Sequence, residues 1–184
     1  MLVLTGLAGR IHSDTLSGKE RRLLSKELKT SKTGFTESIE GLTTKQLNFK
    51  PAKNSLSIKQ CVYKLVSVES NLWKVTRACL QQEAAQRQRS FSDEQLFTIS
   101  IQPDFTGLKE LKFKNIKNAM KVFKNEGAEI HKYVLTSTEN IRAHVLQTSI
   151  GNLDAYQLMM VNAIFAKQYT QQIEKIKSDP DFPK

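Results

Sequence analysis

Four separate apolar stripes at helical spacing, each opened by or lying behind a residue able to cap a helix, restrict this chain more than any other feature. Leu24, Leu28, Phe35 and Ile39 recur at intervals of four and seven, after Ser17-Gly18-Lys19-Glu20. That tetrad fits a capping box, in which the serine hydroxyl takes an orphan amide and the glutamate reaches back. Gly41 stops the first helix. Ser57 caps a second, with Ile58, Val62, Leu65, Leu72 and Cys79 as its stripe, Trp73 beside it and an end near Gln82. Ile116, Met120, Phe123, Ile130 and Val134 mark a third, which tolerates Gly127 at a modest cost in propensity. Asp154 caps a fourth that runs to about Ser178, where Pro180 and Pro183 end it. Amphipathic helices of this length hide their apolar faces against one another, so the pattern predicts an all-α four-helix bundle.

The connections follow from the breakers. Leu42 to Leu56 contains Pro51 and one short helical turn at Thr43 to Leu47. Glu83 to Asn115 is a long crossover between the second and third helices, with Pro103, Gly107 and a turn opened by Ser92-Asp93-Glu94-Gln95 before Leu96. Thr136 to Leu153 reads as a connection with a short turn at Thr138 to His144 and a break at Gly151; no stretch reads as a strand. This gives a flexible tail, 1–15, and one helical domain, 16–184. The tail is mildly apolar and lacks the positive start of a signal peptide, so a cytoplasmic location is expected, with a leader remnant as the alternative. No apolar run reaches the length of a membrane span.

Hydrophobic residues at 39% and charged residues at 25% exclude a disordered or collagen-like chain and a polytopic membrane protein. The net charge of +10 makes anionic partners more favourable than cationic ones without choosing among them. Lys114, Lys117, Lys121 and Lys124 recur at three, four and three, forming one basic stripe on the third helix and a candidate anion-binding surface. The stripe has no interleaved aromatics and no DNA-reading motif, so nucleic acid is not the expected partner; steep salt-dependent retention on it would say otherwise.

Cys61 and Cys79 lie within one helix about 27 Å apart, so they cannot pair and read as small core residues. His12, His131 and His144 show no ligand-like spacing and read as exposed or hydrogen-bonded single histidines, although His131 and His144 could meet in space. There is no nucleophile elbow and no phosphate-cradling glycine loop, so no catalytic residue is assigned and enzymatic activity is not the leading expectation.

Several stretches, in order, resemble the DinB/YfiT-like family of metalloenzymes. They are Gly41-Leu-Thr-Thr-Lys-Gln-Leu-Asn-Phe-Lys-Pro51, Leu56-Ser-Ile-Lys-Gln-Cys-Val-Tyr-Lys-Leu65, Gly151-Asn-Leu-Asp-Ala-Tyr-Gln157, Gln172-Ile173 and Pro180-Asp-Phe-Pro183. The resemblance spans Leu16 to Pro183 and implies a four-helix bundle, often a homodimer, with a divalent metal at one end and, in some members, transfer of low-molecular-weight thiols. It implies one histidine ligand on the second helix and a His-x-x-x-His pair on the fourth. In this chain those positions fall on Lys64, Phe165 and Tyr169, with Gln168 where an arginine is usual and Leu56 where the helix-two motif has tryptophan. A phenyl ring offers no lone pair, a protonated lysine repels a cation, and a neutral tyrosine is a poor ligand for zinc or nickel. No metal or other cofactor is therefore expected. The leading expectation is a degenerate DinB-like homodimer acting as a non-metal binding or structural protein. The alternative is a divergent thiol or group transferase using a pocket of Tyr63, Lys64, Phe165, Gln168 and Tyr169, with a small anionic or thiol ligand.

Overall fold

Among the described residues, the regular structure is helical except for one short hairpin. The computed structural model describes residues 15–84, 87–98 and 110–184. Helix α1 spans Gly18–Ile39, α2 Thr44–Asn48, α3 Ile58–Leu80, α4 Asp93–Thr98, α5 Ile116–Thr136 and α6 Ala155–Lys177. A 3-10 turn at Ile141–Ala143 leads into strands β1, Val145–Thr148, and β2, Gly151–Asp154. The expected starts hold: Ser17, Ser57 and Asp154 each accept from the amide of the third helical residue, and Glu20, Gln60 and Gln157 each return the bond. Ser92 and Gln95 bond reciprocally at the head of α4, as the crossover reading anticipated. Gly41, at φ 72°, adopts the left-handed conformation just past α1 that glycine alone takes without strain.

Four long helices carry the core. Helix α1 packs against α6 and α5, and α3 packs against the same two. The expected stripes point inward: Leu24, Leu28, Phe35, Ile58, Val62, Leu65, Phe123, Ile130 and Val134 are all buried. Every residue of α6 from Ala155 to Ala166 is buried, so this half of the helix is enclosed on all sides. Both cysteines are buried and unpaired with each other, as their spacing required. Arg21 of α1 donates to the carbonyls of Val134 and Ser137, each at 2.6 Å, and closes the C-terminal end of α5.

The hairpin corrects the reading of Thr136 to Leu153 as plain connection and of the chain as lacking strands. Val145 pairs with Asp154 and Thr148 with Gly151 in an antiparallel register. Strands of four residues are too short for alternation to stand out in sequence. Gly151, read as a break, instead lets the second strand begin. Its φ of 128° disfavours any side chain, and a Cβ there would come within 2.7 Å of the Ser90 hydroxyl. The described part of the crossover docks on this hairpin, where the Ser90 amide donates to the Asn152 carbonyl at 2.9 Å. Pro103, Gly107 and the tail before residue 15 lie outside the described residues.

Candidate functional site

The seam between α3 and α6 holds the positions singled out by the family resemblance. Phe165 and Tyr169 lie one turn apart on α6, both buried, while Lys64 on α3 and Gln168 on α6 are half-buried. Cys61 sits one turn before Lys64 and interacts electrostatically with both Lys64 and Tyr169. Burial pushes the Cys61 thiol up to about 11, with Lys64 pulling it back only in part. Burial, then the neighbouring Cys61, raises the Tyr169 phenol to about 12. Thiol and phenol thus stay protonated at neutral pH, and in that form each is a poor ligand for a divalent cation. The residues at this place do not fit the metal that the resemblance implies. Tyr63 packs instead against Phe113 from the end of the crossover, ring centroids 5.3 Å apart.

A second polar feature lies between α1, α3 and α5. The Lys32 ammonium donates to Glu69 at 2.5 Å and rests 3.8 Å from the Phe123 ring centroid, while Ser70 donates to Glu126 at 2.5 Å. Glu69 is buried, which raises its pKa against the pull of Lys32, and its second oxygen has no hydrogen-bond partner. Gly127 explains how Lys32 gets in: a Cβ there would meet the Lys32 chain at 2.7 Å. The sequence shows Gly127 as a flaw in a helix, whereas the fold uses it as a passage.

The densest charge cluster was not visible in the sequence. Arg142, in the middle of the 3-10 turn, donates to Glu20 at 2.8 Å, Asp93 at 2.6 Å and Asp154 at 2.9 Å, and its guanidinium stacks 3.7 Å from the Tyr156 ring centroid. Arg89 adds contacts to Asp93 and Asp154 at 3.2 and 3.4 Å. Gln157 donates to Asp93 at 3.1 Å and to the Phe91 carbonyl at 2.9 Å. Burial would raise Asp93 and Glu20, but hydrogen bonds and charge, from Arg142 to both and from Ser17 to Glu20, outweigh it and lower both. At the fully buried Asp154, burial outweighs Arg142 and the carboxyl is raised. The only sequence signal was that Glu20, Asp93 and Asp154 all belong to helix starts, where carboxylates gather; nothing local linked them to Arg142.

Lys117, Lys121 and Lys124 form the basic stripe on α5 and are all exposed, whereas Lys114, expected on the same helix, precedes its Asn115 cap and is exposed outside it. His131 shares a 2.6 Å hydrogen bond with Ser25, and the Nδ1 of His144 is buried without a partner. His12 lies outside the described residues. Among the described residues, no group of three or more His, Cys, Asp or Glu side chains is arranged to hold a metal ion. Compared with known protein families, with curated proteins and with solved structures, the chain matches none.

Proposed function

We propose that this chain is a DinB-like four-helix bundle in which an ammonium, a phenyl ring and a phenol stand where the family holds its metal, and that it acts as a non-metal binding or structural protein, as a homodimer. The observation that carries this reading is the chemistry at the three ligand positions. An amine, a phenyl ring and a phenol held protonated up to about pH 12 stand where the family uses imidazoles. Leu23 and Leu135 support pairing of two copies. They are 39% and 52% exposed on α1 and α5, the helices joined by the Ser25–His131 bond, and they leave apolar surface for a second chain. Purified protein is expected to contain no stoichiometric divalent metal, and added zinc or nickel should leave its melting temperature unchanged. Stoichiometric metal lost on replacing Lys64, Phe165 or Tyr169 would overturn the reading.

One observation favours a divergent transferase instead. Asn162 is fully buried, and neither its amide oxygen nor its amide nitrogen has a hydrogen-bond partner. It lies seven residues before Tyr169, within about 20° of the same face of α6. A polar ligand entering the α3/α6 seam would satisfy it. Under this second reading a low-molecular-weight thiol such as glutathione raises the melting temperature of the wild type and not of Asn162→Leu. Under the first it raises neither.

A further inference from the structure

The basic stripe on α5 belongs to a longer groove. A cleft of about 400 Å³ between α1 and α5 is lined by Lys29, Thr33 and Lys124 among others, and a second of about 480 Å³ continues along α5 past Lys117, Asn118 and Lys121. Lys124 lines both, so the two clefts meet at its side chain and together follow α5 from Asn115 to Ala128. At 1.5 Å per residue this is about 20 Å long. Its composition is one-sided. Residues 115–128 contain Lys117, Lys121 and Lys124 against one carboxylate, Glu126, which accepts from Ser70 of α3. Glu37 is the sole carboxylate among the described residues lining either cleft.

The kind of anion follows from what lies between the lysines. Asn118 and Thr33 are exposed neutral donors of the sort that bond phosphate oxygens. The apolar floor is closed: Phe123 and Met120 are buried, which leaves no anchor pocket for an acidic peptide. Among the described residues, the exposed large apolar side chains, Leu23, Val75, Phe97 and Leu135, line neither cleft, so none of them would enter a lipid surface beside the lysines. Interleaved aromatics, missing here, serve base stacking on single strands and are not needed for contact with duplex phosphates. We propose that this groove holds the sugar-phosphate backbone of a nucleic-acid duplex and does not read its sequence.

The proposal is tested on the full chain by fluorescence anisotropy with a labelled 20-base-pair DNA duplex across a KCl series. Four contacts, from Lys29, Lys117, Lys121 and Lys124, predict a log–log salt slope near −3.6 and about a 150-fold loss of affinity between 50 and 200 mM. Lys117→Glu, Lys121→Glu and Lys124→Glu together should weaken binding more than tenfold and flatten the slope to about −0.9. A control of equal charge change, Lys45→Glu with Lys50→Glu and Lys53→Glu, all exposed elsewhere, should weaken it less than threefold. Circular dichroism confirms that both triple variants keep their helices. Equal losses in the two triples would mean generic basicity and would overturn the proposal. So would absence of binding at 50 mM KCl, tighter binding to a single strand of equal charge, or equally tight, lysine-dependent capture of polyglutamate or phosphatidylserine vesicles.

Discussion

Around Arg142, carboxylates from the start of α1, the start of α4 and the cap of α6 converge on one guanidinium, whereas in the α3/α6 seam the thiol of Cys61, the phenol of Tyr169 and the ring of Phe165 are uncharged. The first place drew no notice in the sequence and carries the densest charge. The second drew the most notice and is built like ordinary core. The contrast teaches that a resemblance in sequence points to where chemistry could sit, while the electrostatic work of the fold settles wherever distant helix starts meet.

The comparison breaks first at Arg142. Arg142→Ala leaves the buried Asp154 to its longer 3.4 Å contact with Arg89 and is expected to destabilise the protein by about 3–5 kcal/mol in urea denaturation. Arg142→Lys should recover only part of this, because an ammonium can neither fork between carboxylates nor stack on Tyr156 in the same way. A loss under about 1 kcal/mol for the alanine variant would make the cluster a surface ornament.

Lys32→Ala should come next, at roughly 3 kcal/mol, by leaving Glu69 buried without its cation. Replacing both by methionine should restore most of the stability, since an apolar pair avoids both desolvation costs. A double variant no better than Lys32→Ala would show that the pair contributes more than mutual neutralisation.

Acid denaturation sharpens the comparison further. Asp93 and Glu20 titrate lower in the fold than in the unfolded chain, so they add stability above their ordinary values of 3.8 and 4.5 and lose it as pH falls through their folded values. Asp154 and Glu69 titrate higher in the fold, so they work against it once pH rises past those ordinary values. Asp93→Asn should therefore lose most stability at neutral pH and approach the wild type near pH 2, read from urea midpoints. A constant gap across that range would remove Asp93 from the charge network.

The seam makes the opposite prediction. With Cys61 raised to about 11 and Cys79 raised by burial, a thiol reagent at pH 8 should label neither cysteine in the native protein and both in urea. Fast native labelling of Cys61 would mean the seam opens. The smallest effect belongs to the exposed pair Arg77–Glu129, each half exposed, where a double-mutant cycle should give under about 1 kcal/mol.

Helices were legible because their signals are local: Ser17, Ser57 and Asp154 each cap a helix within three residues of their partners. The hairpin was not, because β1 and β2 are four residues each and its key residue, Gly151, has the same letter as a break. The seam's chemistry was partly legible. Lys64, Phe165 and Tyr169 can be read from the sequence, but the burial that keeps Tyr169 protonated is a property of packing. The Arg142 cluster joins residues separated by up to 122 positions, and no periodicity carries such a pairing.

Central is the proposal that Lys64, Phe165 and Tyr169, in the α3/α6 seam, stand where a DinB-like bundle would place its metal ligands. Zinc titration calorimetry on the wild type and on a Lys64→His, Phe165→His, Tyr169→His variant addresses it directly. The account predicts no binding by the wild type and one tightly held zinc per chain in the triple variant, with a raised melting temperature. Tight zinc in the wild type, or a folded triple variant that binds none, would contradict it.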